Sequence, residues 1–136
     1  MNLGLFQIVG DKKVLVSGDE ILKNDVITNI FSFGDELLIL TQNNGFYELK
    51  NGSTIEWKNP INSSIKNKSI YSGIQLKDKS FLLGTISDGI LQANDKGEIL
   101  MLIDQKNGLL NNTVLSVFED QKNNIWLGLD NGVTCI

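Results

Sequence analysis

The side chains of this 136-residue chain that could do chemistry are carboxylates, one thiol and two indoles. Histidine is missing, and all 12 basic residues are lysine, so arginine is missing too. Without imidazole there is no Ser-His-Asp or Cys-His activation of a nucleophile and no imidazole metal ligand. Without guanidinium the planar fork suited to phosphate and carboxylate is lost as well. The adjacent pair Glu119-Asp120, together with Asp78, are the groups to weigh for acid–base or metal work. At a strand end successive side chains point to opposite faces, so Glu119 and Asp120 are not expected to share one substrate atom. Asp120 followed by Asn123-Asn124 reads instead as a β-turn, and neither a metal site nor a cofactor is expected. Cys135 has no partner for an internal disulfide and nothing basic beside it, and is expected to be a small buried strand residue.

Trp126 and Trp57 are the rings suited to stacking on a sugar face. Trp126 stands inside a strand, where packing between sheets is expected. Trp57 ends a strand and leads into Lys58-Asn59-Pro60, so its ring is the aromatic candidate for ligand contact at a rim. Three polar pairs, Asn43-Asn44, Ser87-Asp88 and Asp130-Asn131, occupy equivalent places just before a glycine and are the remaining candidates for contacts to a ligand or partner. Asn-Gly and Asp-Gly are also favoured hairpin turns, because the backbone there adopts positive φ.

These candidates recur because the chain repeats. The glycine after a short polar pair appears at Gly4, Gly45, Gly89 and Gly132, a period of about 40–45 residues. Leu5, Phe46, Ile90 and Val133 follow these glycines, and Ile8, Leu49, Ala93 and Ile136 stand four places beyond them. A constant interval before the last three lie Ile30, Ile74 and Val117, which by this count occupy one position of one face. Short alternating runs at such a period indicate an all-β chain of β-propeller blades. About three four-stranded blades are expected, as an open fragment or as one closed by oligomerisation. The units of this partial propeller over 1–136 run approximately 1–18 (partial), 27–57, 70–103 and 113–136 (partial). The connector Lys58 to Ser69 is polar and holds the one proline, Pro60, while Asp19 to Asp25 has room for a short helix.

Composition removes several function classes. A net charge of −4 opposes nucleic-acid binding, which needs a basic footprint. No apolar run approaches the roughly 18 residues of a membrane span. The opening MNLGLFQIVGDKK has no recognisable secretion signal. With 41% hydrophobic residues the chain reads as a soluble globular piece without direct membrane insertion.

The run GLLNNTVLSVFEDQKNNIWLGLDNGV resembles the two-component regulator propeller repeat. The matching residues are Gly108-Leu109, Asn112, Val114, Val117, Glu119-Asp120, Ile125-Trp126-Leu127-Gly128 and Gly132. Counted back from the glycines, the Trp126 position becomes Leu83 and Ile39 and the Gly128 position becomes Thr85 and Thr41. Leu129 stands where the family has threonine, a change expected to matter little in a strand. The resemblance implies seven-bladed propellers, often in tandem, in the periplasmic part of membrane-spanning regulators of Bacteroidetes-like bacteria, followed by a sandwich module, a membrane helix and an output domain. It implies a ligand- or partner-binding segment of a sensory region, and the absence of both histidine and arginine points away from an enzyme. The resemblance implies a carbohydrate-type small molecule as a partner, while the repeat phase, with outer-strand sequence at Gly4 and inner-strand sequence before Ile136, makes neighbouring blades or a second copy the expected protein partners. A propeller-fold glycosidase or lyase fragment and a pure interaction scaffold are the alternative readings.

Overall fold

Residues 3–136 are described by a computed structural model; Met1 and Asn2, with which the first partial unit was expected to open, lie outside the described residues. Alternating apolar and polar runs, cut by Gly-containing turns, produce four antiparallel sheets. The first holds β1 (Leu5–Val9) and β2 (Lys12–Ser17), followed by a short helix, α1 (Glu20–Asn24). The first complete blade is β3 (Ile27–Phe33), β4 (Glu36–Thr41), β5 (Gly45–Lys50) and β6 (Ser53–Glu56). A second helix, α2 (Pro60–Ile65), leads to the second blade, β7 (Ile70–Gln75), β8 (Phe81–Thr85), β9 (Ile90–Ala93) and β10 (Ile99–Ile103). The third blade has β11 (Val114–Glu119), β12 (Ile125–Leu129) and β13 (Gly132–Cys135). Each complete blade is a simple four-stranded meander, and the inner strands β3, β7 and β11 lie side by side. The chain is therefore all-β and built of propeller blades, open as described.

The second blade buries both faces. Phe31, Leu38, Leu40 and Phe46 of the first blade pack on Phe81, Leu83 and Leu91 of the second. The opposite face of the second blade, with Leu82 and Ile90, packs on Val114, Leu127 and Leu129 of the third. Ile39 and Leu49 are covered by Leu22 of α1 and by Leu5 and Val16 of the hairpin β1–β2. Close approach depends on glycine at defined points. A Cβ on Gly84 would lie 2.8 Å from Val114 Cγ1 and 2.5 Å from Ser72 Oγ, and one on Gly73 would lie 2.6 Å from Leu40 Cδ2.

Strand pairing corrects the register that counting from the glycines suggests. Ile30 pairs with Ile39, Gly73 with Leu83, and Val117 with Leu127, so Ile30, Gly73 and Val117 are equivalent. Ile74 is one residue out and faces the other way, against the third blade. The turn between the first two strands is shorter in the first blade, Gly34-Asp35, than in the second, residues 76–80. One residue of slip reverses the face of every side chain. Trp126 is likewise equivalent to Leu82 and Leu38, and Gly128 to Gly84 and Leu40, not to the residues counting assigns.

Leu129 also matters more than strand propensity suggests. At the equivalent places Thr41 and Thr85 are buried, and their hydroxyls donate to Gly45 O and Gly89 O while accepting from Asn44 N and Asp88 N. Leucine has no hydroxyl to close such a loop, and the third blade turns through Asp130-Asn131 alone. The connector Lys58 to Ser69 is not simply polar either. Asn59 caps α2, accepting from Asn62 N at 3.0 Å, and Pro60 takes the first helical turn. The helix lowers Ile61, Asn62 and Ile65 into the seam between blades, where Asn62 Oδ1 accepts from Phe46 N at 2.5 Å and its Nδ2 donates to Phe46 O.

Gly84→Ala is expected to lower stability by about 1–3 kcal/mol through overpacking against Val114 and Ser72. A urea midpoint equal to wild type would show that the seam between the second and third blades is looser than this geometry requires.

Candidate functional site

The loops between second and third strands of each blade share one side of the structure with the connectors between blades. Asn67 N donates to Asn43 O and Ile70 N to Gln42 O, while Ile86 N donates to Ser69 O and Asp130 N to Thr113 O. Gln42 N also donates to Val26 O, so the candidate pairs Asn43-Asn44, Ser87-Asp88 and Asp130-Asn131 lie on this connector side in loops pinned to the approach of their own inner strand, the first of them also to that of the next blade.

The pins differ chemically. Asp25, buried just before β3, accepts the backbone amides of Asn43 and Asn44, both at 3.0 Å, and both side-chain amides, at 3.1 and 2.7 Å. Val26 N adds a further bond at 2.8 Å. Burial by itself pushes the Asp25 carboxyl upward, but the bonds from Asn44, Asn43 and Val26 outweigh it and hold the group below the ordinary carboxylate range. The Asn43-Asn44 side chains are thus engaged in shaping their own loop. At the equivalent place before β7 stands Lys68, whose Nζ lies 3.3 Å from Asp88 Oδ1. Ser87 Oγ bonds Asp88 Oδ2 at 3.2 Å. Asp130 and Asn131 are exposed.

Beside the Lys68–Asp88 pair opens a cleft of about 260 Å³, lined by Ser64, Leu91, Leu102, Asp104 and Asn107 as well as the pair itself. An ion pair, amide and hydroxyl groups above a leucine floor give directional bonds and an apolar contact in one place. Of the sequence-derived candidates only Asp88 lines it. Tyr71, which sequence reasoning missed, is exposed on the inner strand β7. It sits at a register shift that recurs between Ile27 and Asn29, Ile70 and Ser72, and Val114 and Ser116. No residue type marks such a bulge in the sequence, although it re-aims the side chain it carries.

The two tryptophans exchange the roles expected of them. Trp57 is 8% exposed and stands edge-on to Phe33, Phe46 and Phe81, with ring centroids 5.6, 5.4 and 5.8 Å away. It is a packing residue between the first two blades and offers no face to a ligand. Trp126 is 42% exposed, on the far side of the third blade, and its indole donates to Asp120 Oδ2 at 3.0 Å. Cys135, expected to be buried, is exposed on that sheet. The reason is common to both: their face of the third blade is not covered by another sheet.

The carboxylates weighed for catalysis are held by structural bonds. Asp120 accepts from Trp126, from Asn124 N and Nδ2 and from Lys122 N, which together hold it far below the usual range. Glu119 points elsewhere, accepting from Lys77 N at 2.9 Å. Lys77 Nζ reaches Asp120 O and Asn123 Oδ1, tying the second blade to the third. Asp78 is lowered by bonds from the Ser80 hydroxyl and amide. Asp78 and Asp120 are thus held as anions, ill suited to giving or taking a proton near neutral pH.

The fold and the loop arrangement define a β-propeller segment with its loops gathered on the connector side. Residues 108–131 match the family described as two component regulator propeller, and the chain carries a repeat of that family. Among solved structures, it overlays the extracellular domain of a B. thetaiotaomicron protein assigned as a hybrid two-component system with a TM-score of 0.74, at 19% identity, over 99% of this chain and 19% of that one. It overlays the extracellular domain of another B. thetaiotaomicron protein, assigned as a one-component system, with a TM-score of 0.68, at 22% identity, over 97% of this chain and 18% of that one. The chain thus spans less than a fifth of the length of these structures. No curated protein matches it.

Trp57→Ala is expected to cost about 3–5 kcal/mol, and Trp126→Ala markedly less, since only the first ring is enclosed. Equal losses in chemical denaturation would overturn this ordering. Asp25 also predicts an acid dependence. Its folded pKa lies below the ordinary value of 3.8, so its contribution is complete above that pH and is lost as pH falls through the folded value. Replacing it by alanine is expected to cost about 1.5–3 kcal/mol near neutrality, the range for hydrogen bonds to charged groups, and to narrow the gap to wild type as pH falls below 3.8. A gap unchanged across that acid range would show that its ionisation is immaterial.

Proposed function

We propose that this chain is a ligand- or partner-binding propeller segment from the sensory region of a bacterial two-component-type regulator, lying on the periplasmic side of the membrane. The observation that carries this reading is the overlay of nearly all of this chain on part of the extracellular domains of such regulators, together with the match of residues 108–131 to the two component regulator propeller family. The chain acts by binding and not by catalysis: it has no histidine or arginine, and its best-placed carboxylates are already committed to structural bonds.

The binding site is the connector side, at the Lys68–Asp88 cleft. Its volume, about 260 Å³, is near the lower end of small-molecule sites, which run to roughly 300–1,000 Å³. Paired donors and acceptors over a leucine floor suit a polyhydroxylated, carbohydrate-type ligand. Because Lys68 and Asp88 belong to the inner-strand approach and the second-to-third loop of one blade, a ligand held there restrains both and biases how neighbouring blades are disposed.

Titration with neutral and acidic oligosaccharides, followed by amide resonances, tests the reading. Saturable shifts are expected at Ser87, Asp88 and Asp104, with Lys68→Ala weakening binding by about tenfold, or 1.4 kcal/mol. Absence of shifts with every sugar, or shifts confined to the opposite side of the blades, would sink it.

A further inference from the structure

We propose that the seam between the first and second blades, on the turn side away from the connector loops, binds a small zwitterion: an α-amino acid with an apolar side chain. This inference is independent of the connector-side reading above. Both walls of the seam are complete four-stranded blades, so the site does not depend on either end of the chain.

The second and third blades turn from their first strand to their second in the same way. Leu76 N donates to Ser80 O and Lys79 N to Leu76 O, as Asp120 N donates to Asn124 O and Asn123 N to Asp120 O. Lys79 and Asn123 both take positive φ, 74° and 65°. With Ile30, Gly73 and Val117 in register, Gln75 corresponds to Glu119 and Lys79 to Asn123. In the seam between the second and third blades these places are spanned by Lys77, whose amide donates to Glu119 and whose Nζ donates to Asp120 O and Asn123 Oδ1. The same count puts Gly34 of the first blade where the second has Lys77. Glycine has no side chain to reach across, and Gln75 Nε2 turns back to Lys79 O at 3.1 Å.

Without that strap a cleft of about 510 Å³ stands open, lined in part by Phe33, Gly34, Gln75, Lys79, Phe81 and Asp95. Its size falls within the roughly 300–1,000 Å³ of small-molecule sites. Phe33, half-buried, supplies an aromatic wall and is held edge-on by Trp57 at 5.6 Å. Lys79 and Asp95 are exposed at the rim. Their ammonium and carboxylate form no ion pair with each other or with any other described residue, whereas Lys50, Lys66 and Lys68 each have a carboxylate partner. An anion at Lys79, a cation at Asp95 and an apolar group at Phe33 are therefore the complement of this cleft. An α-amino acid carries all three on one carbon. A simple anion or a simple amine satisfies one charge and is repelled by the other. Because both charges are exposed each adds little, and a Kd of about a millimolar is expected.

Amide resonances of the full chain, titrated at about pH 6 where an α-amino group is protonated, test this. The probes are L-phenylalanine, its N-acetyl derivative, which keeps only the carboxylate, and its carboxamide, which keeps only the ammonium. Saturable shifts at Gly34, Lys79 and Asp95 are expected with the zwitterion, and binding about tenfold weaker or worse with either blocked form. Lys79→Gln should leave the zwitterion binding no better than the carboxamide, and Asp95→Asn should leave it no better than the N-acetyl form. Absence of saturable shifts at these three residues, equal binding of all three probes, or binding that survives both substitutions unchanged would each overturn the proposal. None of these results bears on the Lys68–Asp88 cleft, which lies on the other side of the blades.

Discussion

A sheet with side chains alternating on both sides has two faces to bury, and a single four-stranded meander can bury neither by itself. The second blade shows how the constraint is met. Phe81 and Leu83 project one way into the first blade, while Leu82 and Ile90 project the other way into the third, and all four are within 1% of complete burial. Stability is passed along the array through seams and does not reside in any one sheet. The hairpin β1–β2 and α1 serve the same need at the first blade, where Leu22, Leu5 and Val16 cover Ile39 and Leu49.

The seams are not identical. Between the first and second blades the filling is aromatic, with Phe31, Phe46, Trp57 and Phe81 meeting edge-on, and α2 is lowered into the outer part of the gap. Asn62 at the heart of that helix spends its amide on both backbone groups of Phe46, so a polar side chain is buried there without an unmet bond. Between the second and third blades the filling is aliphatic, and Gly84 lets the inner strands close up around Val114. At the turn end of that seam Lys77 supplies the polar fastening to Glu119, Asp120 and Asn123.

The same economy of bonds shapes the functional side. Asp78 and Asp120, carboxylates that looked available in the sequence, are engaged in turns, and Asp25 is engaged in a loop lock. At the position equivalent to Asp25 the second blade has Lys68, so the amide-to-carboxylate lock of one blade is replaced by an ion pair in the next. That substitution leaves a partly open charged cleft on a side where the first blade is closed by its own asparagines.

Much of this organisation was legible in the sequence. The glycine period and the alternating runs announce propeller blades. The connector-side placement of the three polar pairs follows from their equivalent positions in each repeat. Missing histidine and arginine bound the chemistry without any structure. Other features depended on contacts between residues far apart in the chain. The separation of paired residues across the first two strands differs by one between the first blade, Ile30 with Ile39, and the second, Gly73 with Leu83, and since strand faces alternate with period two, only the pairing itself could place Ile74 opposite Ile30 or match Gly128 to Gly84. Local context put Trp57 at a rim and Trp126 in a core. Burial, however, is decided by what lies across the seam: Phe33, Phe46 and Phe81 enclose the first ring, and no sheet covers the second.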